Sequence, residues 1–95
     1  MPYHSGDNKR EIFEQIKRVV TNMLQVSQEL GLRKIPEIRP ETDIFNELGL
    51  DSVEIMDLMG LIEKEFGVSI ELEKISTRRT FDEIVDYIDE LLKKA

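Results

Sequence analysis

Three separate stretches of this chain set apolar side chains at helical spacing, while a single short run alternates as a strand would. A sheet therefore has no second strand to form from, and helices must bury the core against one another. In the first stretch Ile12, Ile16, Val19, Val20, Met23 and Leu30 fall on one side of a helix, with Lys17, Arg18, Thr21, Gln25 and Gln28 opposite. Asn8 with Glu11 three positions on reads as a capped start and Gly31 as a stop, predicting a helix near 8–30. In the second stretch Ile55, Leu58, Met59, Ile62 and Phe66 share a face from 52 to 66, closed by Gly67. In the last, Thr80 and Glu83 have capping-box spacing, and Phe81, Ile84, Val85, Ile88, Leu91 and Leu92 form the stripe of a helix near 80–93. Lys93 and Lys94 suit the negative end of its dipole.

The pieces between follow from the same pattern. Pro36 and Pro40 keep Ile35 and Arg39 extended, so residues 31–50 form a long connection. Ile35, Ile38, Ile44, Phe45, Leu48 and Leu50 are too many apolar groups for a free loop, so it should pack on the helices with one helical turn near 43–48. Val68, Ile70 and Leu72 alternate without a pairing partner and read as an extended link leading to a short helix near 73–77. With 95 residues, one core is expected. The fold predicted is all-α: a small four-helix bundle of three long helices and one short, with a long first connection, in one domain.

Composition narrows the function. No cysteine is present, which excludes a disulfide framework, a thiolate metal site and a cysteine nucleophile; the lone histidine is His4. Catalysis by the chain's own side chains is not expected. A net charge of −7 argues against nucleic acid as partner. The charge is concentrated: residues 1–40 hold 7 basic and 5 acidic side chains, residues 41–75 hold 2 and 10, and residues 76–95 hold 4 and 5. That acidic middle reads as a solvated surface or as a docking face for basic partners. No apolar run approaches the roughly 20 residues of a membrane span, and the first residues lack the order of a signal peptide, so a cytoplasmic protein is expected.

One place asks for chemistry. The second helix opens with Gly49-Leu50-Asp51-Ser52-Val53-Glu54. If Asp51 caps the helix, with Glu54 completing a variant of the capping box, Ser52 occupies the first helical position with a free hydroxyl beside unpaired N–H groups, a setting that tolerates a phosphate. If Ser52 itself caps, it does nothing else. On the outer face Val53 and Met56 stand among Glu54, Asp57 and Glu63: a small apolar anchor in an acidic rim, which suits a transient partner.

From Pro40-Glu41-Thr42-Asp43-Ile44-Phe45-Asn46-Glu47-Leu48-Gly49-Leu50-Asp51-Ser52, through Glu63-Lys64-Glu65-Phe66-Gly67-Val68-Ser69-Ile70, to Phe81-Asp82-Glu83-Ile84-Val85-Asp86-Tyr87-Ile88, the chain resembles the acyl carrier protein family. The resemblance implies that a phosphopantetheinyl transferase esterifies Ser52, next to Asp51, with the 4′-phosphopantetheine arm of coenzyme A. It implies that the arm's thiol carries acyl groups as thioesters to loading and processing enzymes with basic docking surfaces. The cofactor then brings the sulfur that the chain lacks. By the same resemblance Val53, Glu54, Met56, Asp57 and Glu63 belong to the recognition helix, Leu58, Met59, Ile62 and Ile75 are candidate lining for an acyl pocket, and the carrier is a monomer. Gly60 stands where family members often carry a larger apolar group, Arg78 and Arg79 precede the last helix where acidic residues are commoner, and the first helix is long. These departures set a specialised member beside a housekeeping fatty-acid carrier as an equal reading.

Two rivals share part of this pattern. A peptidyl or D-alanyl carrier has the same arm and fold with another cargo, and a helical adaptor would leave Ser52 idle. A calcium loop from Asp43 to Glu54 fails, because its third position is Phe45 and its sixth Leu48, where glycine is needed.

Overall fold

The computed structural model describes residues 5–94, with side chains from residue 9 onward. It is all-α: α1 (Ser5–Glu29), α2 (Ser52–Phe66), α3 (Leu72–Ser76) and α4 (Phe81–Lys94). The apolar stripes meet in one core. Ile12, Ile16, Val20 and Leu24 come from α1, Ile55, Leu58, Met59 and Ile62 from α2, Ile75 from α3, and Phe81, Ile84, Val85 and Ile88 from α4. The Phe13 ring stands edge-on to Phe81 with centroids 6.1 Å apart, and Lys9 reaches Asp86 at 3.0 Å, so the first half of α1 lies along the start of α4. Among the described residues no helix is long and apolar enough to cross a membrane.

α1 departs from the sequence reading at both ends. It begins at Ser5, so Asn8 lies within the helix and not at its cap. It ends at Glu29, and Leu30 is 67% exposed where an inward position was expected. The reason is local: Gly31 takes a left-handed φ of 74°, and the Leu32 N–H returns to the Ser27 carbonyl at 2.9 Å, turning the chain away. Leu24, four residues after Val20, holds the inward place instead.

The long connection is a wall of the core. Ile38, Ile44, Leu48 and Leu50 are buried in it. The helical turn expected near 43–48 is present as one loop of chain, closed by Glu47 N–H to Asp43 O at 2.9 Å. Asp43 Oδ1 accepts from the Phe45 and Asn46 amides at 2.8 and 2.9 Å. Asp43 also forms an isolated antiparallel bridge with Thr80, through Ile44 N–H to Arg79 O at 2.8 Å and Phe81 N–H to Thr42 O at 3.1 Å. Arg79 bonds Asp43 Oδ2 at 3.1 Å and lies over the Phe45 ring at 4.7 Å, so its charge is spent locally.

Residues 68–71 are an extended link because other elements take their backbone donors. Glu63 Oε2 accepts from Ile70 N–H at 2.6 Å, and the Tyr87 hydroxyl accepts from Glu71 N–H at 3.1 Å. α3 follows, one residue earlier than the spacing suggested. Five residues do not make a stable helix alone. Burial of Ile75, about 1.5–3 kcal/mol before ordering costs, is its main attachment.

Candidate functional site

The candidate site is the mouth of α2. Gly49 turns the chain with φ of 62°, a conformation other residues resist, and buried Leu50 anchors the strand of chain that enters the helix. Asp51 is the cap. Its Oδ1 accepts from Glu54 N–H at 2.8 Å while Glu54 Oε1 accepts from Asp51 N–H at 3.1 Å, which closes the box in both directions. Ser52 is thereby relieved of capping. It is exposed at the first helical position, and its hydroxyl makes no hydrogen bond to any described residue. The Ser52 and Val53 amides belong to the same first turn and have no preceding turn to bond to. An oxygen nucleophile, two N–H donors and the positive helix end meet the needs of a serine phosphodiester.

Glu54 does more than the sequence suggested. Arg33, 21 residues earlier on the connection, bonds it with both guanidinium ends, at 2.9 and 3.0 Å, and both side chains are about three-quarters covered. That pair, together with the Asp51 amide, holds the Glu54 carboxyl below the usual carboxylate range, and it raises Arg33. No local pattern announces Arg33, because a partner so distant in sequence leaves no periodic signal.

The expected docking residues divide into two groups. Val53 and Met56 are 66% and 59% exposed, and Asp57 is exposed beside them. Glu54 and Glu63 are half-buried and already engaged, so they project less than their helical positions suggested.

The expected pocket lining divides as well. A cleft of about 370 Å³ opens beside Ser52, walled chiefly by Phe45, Leu50, Ile55, Met56, Leu72 and Ile75. A second, of about 230 Å³, adjoins it at Met56 and Leu72 and includes Met59, Gly60, Glu63 and Ile70. Ile75 and Met59 thus each border a cleft. Leu58 and Ile62 are fully buried within the shared core and line neither. Phe45 and Leu50 escaped the sequence reading as lining because both belong to the connection, whose path no periodicity gives.

Residues 23–88 match the family model for a phosphopantetheine attachment site. The chain belongs to the acyl carrier protein family. It is 33% identical over 88 residues to the acyl carrier protein of Thermotoga maritima, covering 90% of this chain and 96% of that one. Against the acyl carrier protein of Petrotoga mobilis it is 31% identical over 84 residues, 88% of this chain and 91% of the other. The crystal structure of an acyl carrier protein from Thermotoga maritima superposes with a TM-score of 0.58 at 28% identity, covering 83% of this chain and 92% of that one. The cofactor of this family is 4′-phosphopantetheine, and a carrier domain of this kind meets a phosphopantetheinyl transferase and acyl-processing enzymes. The matched segment holds the whole of α2, α3 and the first half of α4.

Proposed function

We propose that Ser52 Oγ receives 4′-phosphopantetheine from coenzyme A and that the whole chain, as one domain, carries acyl groups between enzymes of a fatty-acid, polyketide or specialised lipid pathway. The observation that carries this reading is the division of labour at the α2 mouth: Asp51 caps, and Ser52 is left exposed with its hydroxyl bonded to no described residue. When attached, the group supplies a thiol on a long flexible arm, which suits a chain without cysteine. The protein's part is positional. Asp51 and Glu54 fix the helix start, the Ser52 and Val53 amides of the first turn serve the phosphate, and the cleft at Leu50, Ile55 and Ile75 offers an apolar surface next to the attachment point. Val53, Met56 and Asp57 present the face on which basic partners settle, with Glu54 and Glu63 contributing charge from behind. No side chain of this site is asked to act as acid, base or nucleophile toward the cargo, so the protein is a carrier and not an enzyme. It is expected to work as a cytoplasmic monomer.

Intact mass after incubation with coenzyme A and a promiscuous phosphopantetheinyl transferase tests the reading. The wild type gains one phosphopantetheinyl group and Ser52→Ala gains none. An unchanged wild-type mass would leave the helical adaptor as the reading, and an aminoacyl thioester recovered from cells would make the protein a peptidyl or D-alanyl carrier.

A further inference from the structure

Met56, Gly60 and Glu63 follow at i, i+4 and i+7 and form one stripe down the outside of α2. The stripe has a gap. Beyond its own stretch of helix backbone, a Cβ at Gly60 would meet no described atom within 4 Å, and the φ there is not left-handed, so nothing described in the protein requires a glycine. Glycine is a poorer helix former than alanine, yet it occupies the middle of the helix.

The gap belongs to the cleft of about 230 Å³. Met56 and Met59 border it from α2, Ile70 and Leu72 from the link and the head of α3, and the Glu63 carboxylate lies one turn beyond Gly60. Four apolar side chains suit a run of methylene groups, and a carboxylate at the end of such a run suits a cation. The state of that carboxylate decides which cation. Glu63 Oε2 accepts from Ile70 N–H at 2.6 Å, whereas Oε1 makes no hydrogen bond to a described residue. A guanidinium gains most from two parallel bonds to both oxygens, and here one oxygen is taken; an ammonium needs only one.

We infer that the Gly60 cleft receives one lysine side chain of an enzyme docked on α2, its four-carbon stem between Met56, Met59, Ile70 and Leu72 and its ammonium on Glu63 Oε1. The inference rests on the carrier reading, because it presumes a partner on this face, and it adds a specific socket to that face.

The test is an amide-resolved NMR titration of the full chain with n-butylammonium, n-butanol and n-butylguanidinium. Saturable shifts are expected at Gly60, Glu63 and Ile70 with n-butylammonium, and weaker ones with the other two. Glu63→Gln, which keeps an oxygen for the Ile70 amide, should weaken n-butylammonium binding about two- to fivefold. Gly60→Leu should abolish the shifts while its amide spectrum remains that of a folded protein. No saturable shift, equal binding of n-butanol, tighter binding of n-butylguanidinium, or retention in Gly60→Leu overturns the socket. Ser52 loading, scored by mass without any probe, separates the two ideas: a chain that loads but has no socket refutes only this inference, and one that does not load refutes the carrier reading.

Discussion

Arg33 grips Glu54 through both ends of its guanidinium, Nη1 to Oε2 at 2.9 Å and Nη2 to Oε1 at 3.0 Å, and so ties the start of the long connection to the first turn of the helix that carries Ser52. Glu54 Oε1 also accepts the Asp51 amide, so the two carboxylate oxygens serve three donors. Arg33→Ala should lower unfolding free energy by about 1 kcal/mol, and Glu54→Ala by about 1.5–2 kcal/mol because the cap fails with it. Urea unfolding of both variants and their double mutant measures this. The double mutant should lose less than the sum of the two, and strict additivity would mean that the pair is not coupled.

Acid should weaken the fold through carboxyls held low, among them the three that close a helix start or a turn. Arg33 chiefly holds Glu54 down, the Asn46 backbone N–H leads for Asp43, and the Thr80 backbone N–H leads for Glu83. Each folded-state value lies below the ordinary 4.5 of glutamate or 3.8 of aspartate. On acidification the unfolded chain therefore takes up protons first, so the contribution is complete above the ordinary values and is lost as pH falls through the folded ones. Unfolding free energy measured from pH 7 to pH 3 should be level at first and then fall. A curve that rose on acidification would contradict the assignment.

Asp51→Ala removes the α2 cap and should cost about 1 kcal/mol, while Asp51→Asn, which keeps an acceptor oxygen, should stay within a few tenths of wild type. Without Asp51, Ser52 is the nearest side chain able to cap. Transfer of phosphopantetheine to Asp51→Ala should accordingly slow by more than the small folded fraction lost explains, and Asp51→Asn should retain the wild-type rate. Mass-resolved loading kinetics compare them.

The same substitution at two glycines should act with opposite signs. Gly67 ends α2 in a left-handed conformation, φ 66°, where an added Cβ costs about 1 kcal/mol whatever the space around it. Gly60 is mid-helix with open space, so Gly60→Ala should stabilise by about 0.5–1 kcal/mol. Melting temperatures should part in opposite directions, by roughly 4–8 °C per kcal/mol for a domain of this size. A destabilised Gly60→Ala would show that the helix there is strained.

Val53→Ala and Met56→Ala remove exposed side chains and should change stability by less than about 0.5 kcal/mol. If these side chains anchor partners, each should lower kcat/KM for phosphopantetheinyl transfer at least about fivefold, the level of a modest binding hot spot. Unchanged kinetics in both would remove the apolar anchor from the docking face.

The parts of this architecture that the sequence announces are those whose causes lie within one helical turn. The α2 and α4 starts are legible because Asp51 with Glu54, and Thr80 with Glu83, are cap and partner three residues apart. Asn8 and Glu11 have the same spacing and mislead, because the helix runs through them from Ser5. Spacing alone does not reveal whether a cap is used. Leu30 misleads similarly: it continues a stripe that the Gly31 turn has already ended. What remained hidden was made by distant pairs. Arg33 with Glu54, Glu63 with the Ile70 amide, and Tyr87 with the Glu71 amide decide which acidic groups face outward and why residues 68–71 do not become a strand.

The cleft beside Ser52 has two banks of unequal stiffness. On the α2 bank, a closed capping box and a doubly bonded arginine fix the backbone. On the α3 bank stands a five-residue helix without a side-chain cap, moored to α4 through the Tyr87 hydroxyl and to the core through Ile75. Any widening to house a bulkier passenger falls to the α3 bank, where amide exchange should be fastest. On the carrier reading proposed above, the α2 face would then keep one outline with or without a passenger, so a single berth would serve both.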